Sequence, residues 1–212
     1  MLFYNTVSDN TLKLIRRLMN DPLLDSFILV DGTALSLQIG HRISIDIDLF
    51  TSENFDAPQL MEHLKQNYSF EADFLAKNTI KGEIESTKID CIRHGYPWLE
   101  PSQMIEDIRI ASLSEISAMK LNAITTNGTR LKDFIDIAYL SPYLSLNQML
   151  DAYELKYRNN RIMGLKSLLY FDDIDFSEPI QMLASSGAFR WETIKSRIIL
   201  MQDQPDKQGR PI

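Results

Sequence analysis

The feature that most constrains the fold of this chain is a glycine turn followed by a strand that carries two acids. Residues 27–30 are apolar, and Gly32 then opens a short helical segment. In residues 43–50 apolar and polar side chains alternate, so Asp46 and Asp48 are predicted to project from one side of a strand. Two neighbouring carboxylates repel each other, and a divalent cation carrying a polyphosphate would supply the counter-charge.

The secondary-structure signals change near the middle of the chain. Helical and strand patterns alternate at first, whereas from Ser112 onward apolar residues recur at helical spacing. A loop with glycine and two prolines at 95–101 separates the part with mixed patterns from the helical part. We therefore predict an α+β fold, with a mixed β-sheet and flanking helices followed by an all-helical C-terminal half. The predicted parts are a core at 1–96, a helical domain at 97–202 and a flexible tail at 203–212.

Composition and charge exclude several classes of protein. The chain has 212 residues, a net charge of −7 and a single cysteine, Cys91, which suits a reducing compartment. No run approaches the ~18 apolar residues of a membrane span, so we expect no membrane partner and a cytoplasmic location. The acidic balance argues against an extended surface that coats nucleic acid. The acidic balance leaves a local basic groove open, but we interpret the two basic clusters as solvated helix faces. The clusters are Lys13, Arg16 and Arg17, and Lys156, Arg158, Arg161 and Lys166.

A third acid strengthens the prediction of a metal site. Asp90 lies in a second apolar strand pattern at 88–93, and three carboxylates would converge if this strand lay beside the first. On their own, two acids one residue apart fit a solvated strand edge or a pair of salt-bridge acceptors at least as well as a metal site. The turn at Gly32 favours the phosphate interpretation, because backbone N–H groups at the start of a helix attract phosphate.

Two stretches of the chain resemble a known protein family. The first contains Gly32 to Leu35, Gly40 to Arg42 and Asp46 to Phe50, and the second contains Met119 to Ala123 and Lys132 to Ile137. Both resemble the AbiEii/AbiGii toxin family of the nucleotidyltransferase superfamily. The resemblance covers about residues 27 to 140. It implies a nucleotidyltransferase core with a helical C-terminal half.

The resemblance also implies a role for each site residue. Asp46, Asp48 and Asp90 would hold Mg²⁺ or Mn²⁺, and Asp90 would also act as the base on the acceptor hydroxyl. Gly32 and Thr33 would face the triphosphate of an NTP substrate, Lys120 would offset its charge, and Asp133 would lie close to the nucleotide. The residues alone leave open whether Asp133 or its helix-face neighbour Asp136 instead caps or pairs locally.

Two residues before the acids are candidates from the strand pattern. Arg42 and Ser44 share the parity of Asp46, so both are expected to reach the same site. Arg42 could contact a phosphate or, equally, pair with Asp46 or Asp48.

The implied function is NTP-dependent nucleotide transfer to an RNA (tRNA-like) or protein acceptor. Members of the family act as toxins of type IV toxin–antitoxin or phage-exclusion systems, so a DNA-binding antitoxin is an expected partner. Two alternatives remain: a catalytically attenuated protein that binds nucleotide or another protein, and a phosphotransferase that moves a terminal phosphate. The attenuated alternative rests on Asp31, which stands where the family usually has a first glycine.

Overall fold

The computed structural model describes residues 1–183 and 189–212. The chain divides into two compact units. Unit 1 consists of Met1–Pro97 and Pro101–Ala111, and unit 2 consists of Trp98–Glu100 and Ser112–Ile212. No helix within the described ranges is long and apolar enough to cross a membrane.

Unit 1 is built on a mixed seven-stranded sheet in the order β3-β4-β5-β2-β1-β7-β6. Strands β2 and β5 are parallel, as are β1 and β7, and the other neighbours are antiparallel. The sheet is mixed, as predicted. The strands are β1 (Ile28–Leu29), β2 (Ile47–Thr51), β3 (Glu71–Ala76), β4 (Thr79–Ile84), β5 (Thr87–Arg93), β6 (Gln103–Ile105) and β7 (Ile108–Ile110).

Alternation along the two central strands separates a core face from an acid-bearing face. Ile47 and Leu49 of β2 are fully buried and pair in register with Ile89 and Cys91 of β5. The residues between them point to the other face, because side chains alternate along a strand. Asp48 and Asp90 of the predicted site are among these alternate residues.

Unit 1 has three α-helices, and side chains cap the N-termini of two of them. Helix α1 (Asp9–Met19) is capped by Ser8, whose hydroxyl accepts a hydrogen bond from the backbone N–H of Thr11 at 3.0 Å. Helix α2 (Asp31–Ile39) follows β1, and Gly40 ends it in the left-handed conformation with φ 67°. Helix α3 (Ala57–Tyr68) is capped by Asp56.

The secondary-structure elements described in unit 2 are all helices. Helix α4 packs against α5, α6 and α7. Phe134 of α5 and Phe171 meet Trp191 of α8 edge to face, with ring centroids 6.3 and 5.5 Å from the indole. The helices are α4 (Leu113–Thr126), α5 (Leu131–Leu140), α6 (Leu146–Tyr157), α7 (Arg161–Leu168) and α8 (Trp191–Asp203).

The boundary between the units differs from the predicted boundary at 96/97. The hairpin of β6 and β7 belongs to unit 1, because β7 pairs with β1 and the side chains of Ile108 and Ile110 are fully buried. Trp98–Glu100 instead belongs to unit 2. The three-residue strands of this hairpin are too short to show periodicity, so the proline-rich loop in front of them was the stronger sequence signal.

The segment predicted as a flexible tail, residues 203–212, is hydrogen-bonded to unit 2. The backbone N–H of Gly209 donates to the Ser141 carbonyl at 2.7 Å, and the N–H of Asn147 donates to the Pro205 carbonyl at 2.9 Å. Helix α8 ends at Asp203, and the residues that follow are bound through their backbone. The flexibility of this segment stays a prediction.

One residue of the second basic cluster, Lys156, does not lie on a solvated face as predicted. Lys156 is 1% exposed, and its ammonium contacts the buried Glu115 carboxylate and lies 5.1 Å from the centre of the Trp98 ring. Burial lowers the pKa of Lys156, and the Glu115 carboxylate opposes that shift. Spacing on a helix could not predict this partner, which comes from a different helix.

Candidate functional site

The turn between β1 and α2 brings together most of the predicted nucleotide-binding residues. A Cβ added to Gly32 would lie 2.5 Å from a guanidinium nitrogen of Arg42 and 3.4 Å from the Ser44 hydroxyl. Glycine is therefore the residue that lets the Arg42 guanidinium approach the backbone of the turn. Arg42 is only 3% exposed, so this guanidinium is held in place rather than free in solvent.

Hydrogen bonds from Thr33 connect the turn to the segment that leads to the acids. The Thr33 hydroxyl lies 2.9 Å from the Ser44 hydroxyl and also donates to the backbone carbonyl of Asp46. The backbone N–H of Val30 donates to the Asp48 carbonyl at 3.0 Å, so the turn starts directly beside Asp48. The site predicted around the glycine turn is thus one connected arrangement in unit 1.

The route by which Arg42 and Ser44 reach the turn differs from the prediction. Strand β2 begins at Ile47, and residues 43–46 are irregular, so strand parity does not apply to them. Both side chains nevertheless lie beside Gly32. Strand parity therefore does not explain their position, and their role in nucleotide binding stays a prediction.

Strand β5 lies beside β2, as the prediction of a third acid required, but Asp46 lies outside β2, so strand alternation does not place it on the face of Asp48. Asp48 of β2 and Asp90 of β5 are register partners on neighbouring parallel strands, and Asp46 precedes β2 by one residue. All three acids are partly exposed. Burial raises the pKa of the Cys91 thiol, and the negative charges of Asp90 and Asp48 raise it further, so this cysteine is a neutral core residue.

Lys81 is a residue of this site that sequence reasoning missed. It is the antiparallel register partner of Asp90 on β4, and its ammonium contacts the Asp90 carboxylate. Strands β4 and β5 are joined by a tight turn at Glu85 and Ser86, both with positive φ, at 51° and 62°, although neither residue type signals such a turn in the sequence. Identifying that turn as a hairpin would have fixed the register and placed Lys81 opposite Asp90.

We predict that Lys81→Met strengthens divalent-cation binding by the free protein. The ammonium competes with a metal ion for the Asp90 carboxylate, and the pair is partly exposed, so we expect about a three- to fivefold tighter Mn²⁺ dissociation constant. Electron paramagnetic resonance titration of free Mn²⁺ measures it. Lys77→Met is the matched control, because Lys77 is an exposed residue in the turn that leads into β4, the strand of Lys81. Equal or weaker Mn²⁺ binding by Lys81→Met would contradict this role.

The two remaining predicted residues lie in unit 2, in a buried ionic cluster. The Lys120 ammonium lies 2.8 Å from the Asp133 carboxylate and 2.9 Å from the Asp136 carboxylate, and none of the three side chains is more than 1% exposed. Arg130 lies 3.5 Å from the second oxygen of Asp133. Asp133 and Asp136 therefore both form an ion pair, and their shared partner is Lys120 of α4.

The acids of unit 1 supply the type of donor that a hard cation requires. Asp46, Asp48 and Asp90 offer carboxylate oxygens, which Mg²⁺ and Mn²⁺ prefer. Within residues 1–183 and 189–212, no three histidine, cysteine or acidic side chains are arranged as a ready metal-binding group. Mg²⁺ is commonly held by one or two carboxylates together with substrate phosphates, so the donors fit an ion that arrives with a nucleotide.

A mixed sheet with a glycine turn and carboxylates on neighbouring strands is the arrangement that the resemblance to the nucleotidyltransferase superfamily implies. Comparison with known proteins agrees. Residues 13–99 match the family described as "Nucleotidyl transferase AbiEii toxin, Type IV TA system". The chain is 31% identical over 158 residues to the uncharacterized protein aq_aa25 of Aquifex aeolicus (strain VF5), covering 71% of this chain and 76% of that protein. The chain belongs to the AbiEii nucleotidyltransferase toxin family.

Two solved structures share the fold. JHP933 from Helicobacter pylori is 16% identical, with a TM-score of 0.56 over 94% of this chain and 93% of that one. A protein from H. pylori designated a candidate nucleotidyltransferase is 18% identical, with a TM-score of 0.55 over 96% of this chain and 99% of that one. At these identities the likeness concerns the fold, and it covers nearly the whole length of each chain.

Proposed function

We propose that this protein is a metal-dependent enzyme that transfers a nucleoside monophosphate from an NTP to an RNA (tRNA-like) or protein acceptor. The observation that carries the proposal is the pairing of Asp48 with Asp90 directly beside the Gly32 turn. Acids that hold a cation and a turn that receives phosphate are the two parts that nucleotidyl transfer needs.

The turn is proposed to bind the triphosphate. Gly32 and Thr33 lie in the first turn of α2, where backbone N–H groups lack intrahelical acceptors and the helix dipole favours negative charge. The Arg42 guanidinium beside Gly32 adds a fixed positive charge that can bind a phosphate through two hydrogen bonds. Ser44 and Thr33 hold each other in place and so keep the turn in one conformation.

The acids are proposed to hold the metal and prepare the acceptor. Asp46, Asp48 and Asp90 would hold Mg²⁺ or Mn²⁺, which when bound neutralises phosphate charge and orients the α-phosphorus. Asp90 would also accept the proton of the attacking hydroxyl. The acceptor oxygen then forms a bond to the α-phosphorus, and the bond to the leaving pyrophosphate breaks.

The family resemblance assigns two residues of unit 2 to the same reaction. Lys120 is proposed to offset triphosphate charge, and Asp133 to act close to the nucleotide. Their mutual ion pair holds both side chains in fixed rotamers. Any direct role of the Lys120 ammonium has to compete with two carboxylates that already bind it.

The cellular role is proposed from the family alone. The protein would be the toxin of a type IV toxin–antitoxin or phage-defence system in the cytoplasm, with a DNA-binding antitoxin as its partner. A neighbouring gene that encodes such an antitoxin would support this role.

An isotope experiment tests the proposed reaction. The protein is incubated with Mg²⁺, total tRNA or total protein, and each NTP labelled at either the α- or the γ-phosphate. Transfer of the α-label supports nucleotidyl transfer, and transfer of the γ-label would show a phosphotransferase instead. Binding of NTP without transfer of either label would support the attenuated alternative.

One observation keeps the attenuated alternative open. Asp31, at the place of the usual first glycine, has φ 56°, a left-handed conformation that glycine adopts freely and aspartate tolerates. The turn therefore forms despite the substitution. What the substitution adds is a negative charge next to the proposed triphosphate site.

We predict that Asp31→Gly raises NTP affinity by about fivefold, the effect of removing ~1 kcal/mol of charge repulsion. Asp31→Asn is the matched variant, because asparagine also tolerates positive φ and removes only the charge. Calorimetry with Mg²⁺ and each NTP measures both. Equal or weaker binding by the two variants would show that Asp31 does not attenuate the site.

A further inference from the structure

A polar cleft in unit 1 lies outside the residues assigned to nucleotidyl transfer. It has a volume of about 440 Å³ and is formed by α1 and α3, so we call it the α1–α3 cleft. One wall carries Arg16, Arg17 and Asn20, and the other carries His63, Asn67 and Tyr68. All of these side chains are polar, and two of them belong to the basic cluster that the sequence alone presents as a solvated helix face.

The two arginines of the α1–α3 cleft are held by aromatic rings. The Arg17 guanidinium carbon lies 4.9 Å from the centre of the Tyr68 ring, and the Arg16 guanidinium carbon lies 5.1 Å from the centre of the Tyr4 ring. Arg16 also donates to the Tyr4 hydroxyl at 3.0 Å. Fixed guanidinium groups lose less conformational entropy when they bind a ligand than free surface arginines do.

The base of the α1–α3 cleft is a satisfied carboxylate. Asp21, only 5% exposed at its side chain, lies 2.6 Å from Nε2 of His63, and its Oδ2 accepts from the Tyr68 hydroxyl at 2.7 Å. Burial raises the pKa of Asp21, but hydrogen bonds from His63, Tyr68 and the Leu23 backbone outweigh it, and the pKa falls below its usual value. The negative charge is thus buried and bound by three donors.

The accessible charge of the α1–α3 cleft is therefore positive, in a chain whose net charge is −7. Within the part of the chain that the structure describes, no carboxylate forms an ion pair with Arg16. Arg17 has one, at 3.4 Å from Glu85, and both side chains of that pair are at least half exposed. Exposed pairs of this kind contribute little, so a ligand phosphate can replace Glu85 at small cost.

We propose that the α1–α3 cleft binds a phosphate group of a nucleotide chain. Arg16 and Arg17 would bind the phosphate oxygens, since a guanidinium matches a phosphate through paired N–H donors. The cleft is larger than a phosphate ion alone needs, which favours a phosphate with an attached nucleoside over the free ion. This proposal does not depend on the catalytic proposal, because it uses none of the same residues.

The three histidines make a direct test possible in the full-length protein. Ring signals of ¹⁵N-labelled histidine report His63 in the cleft and, separately, His41 next to Arg42 of the turn; His63→Gln assigns the first. Sodium phosphate is titrated with EDTA present and with sodium chloride holding the ionic strength constant. We expect a saturable shift of the His63 signals. In the Arg16→Gln/Arg17→Gln variant the dissociation constant for phosphate should be at least about tenfold higher.

Lys13→Gln is the matched control, because Lys13 is an exposed residue of α1 that does not line the cleft. It removes a positive charge and should leave the phosphate affinity within about twofold of the unchanged protein. A loss in Lys13→Gln that equals half the loss in the double variant on a logarithmic scale would indicate general charge attraction and overturn the proposal. An unshifted His63 signal in the unchanged protein would also overturn it.

A second titration, with a short oligouridylate, distinguishes the source of the phosphate. Tighter binding than inorganic phosphate, lost in the double arginine variant, supports a nucleotide chain. Equal affinity for the two ligands would restrict the cleft to a lone phosphate group and overturn the nucleotide-chain part of the proposal. Both arginines are exposed helix residues, so the variant is expected to fold, and its circular dichroism spectrum verifies this.

Discussion

Replacing Lys120 by methionine is expected to destabilise unit 2 by about 3–5 kcal/mol. The Lys120 ammonium is buried between the Asp133 and Asp136 carboxylates, and none of these side chains is more than 1% exposed. Without it, both carboxylates stay buried but lose the Lys120 ammonium, and Asp133 keeps the half-exposed Arg130. Leaving a buried charge uncompensated costs far more than an ion pair of the same kind gains.

Tryptophan fluorescence during urea unfolding measures this effect. Both tryptophans, Trp98 and Trp191, belong to unit 2, so the signal reports that unit even if the two units unfold separately. The matched control is Lys132→Met on α5, the helix that also carries Asp133 and Asp136. It removes a partly exposed pair with Glu178 and should cost less than about 1 kcal/mol.

A triple variant separates charge imbalance from lost packing. Lys120→Met with Asp133→Asn and Asp136→Asn has no net buried charge and should recover much of the lost stability. If Lys120→Met unfolds at the urea concentration of the unchanged protein, then the cluster does not stabilise unit 2. In that case the ammonium would be available for the phosphate role that the family resemblance implies.

The central strands were predictable because their side chains follow simple alternation. The apolar residues on one face of β2 and β5 and the acids on the other are set by a period of two. The family resemblance extended this pattern to a mixed sheet and a helical second half. The β6–β7 hairpin could not be predicted, because its burial comes from pairing with β1, which is distant in sequence.

The ionic partners of the site were the least predictable part. Lys81 meets Asp90 through the register of a hairpin, and Lys120 meets Asp133 across two helices. Sequence spacing identifies neighbours on one helix or strand, but it does not show which charges face each other across elements. Strand parity likewise could not place Arg42, because β2 begins at Ile47 and the Arg42 guanidinium lies beside Gly32.

Replacing Asp48 by asparagine is expected to lower nucleotidyl transfer by about three orders of magnitude. The amide keeps the shape of the side chain but loses the charge that would hold the cation opposite Asp90. Asp48 is partly exposed, so the fold should be retained. Initial rates of α-label transfer at saturating Mg²⁺ and NTP measure the effect.

The matched control for Asp48→Asn is Asp73→Asn, an exposed acid of the edge strand β3. It removes the same charge from the same sheet and should leave the transfer rate within about twofold. Asp46→Asn is expected to behave like Asp48→Asn, because both acids are proposed metal ligands. A full transfer rate in both of those variants would place the metal site elsewhere.

The measurement that tests the central claim most directly is single-turnover transfer of the α-phosphate label to an acceptor, with unchanged protein and Asp48→Asn side by side. The proposed function predicts transfer of the α-label with release of unlabelled pyrophosphate by the unchanged protein, and no detectable transfer by the variant. Transfer of the γ-label, or equal transfer of the α-label by both proteins, would contradict it.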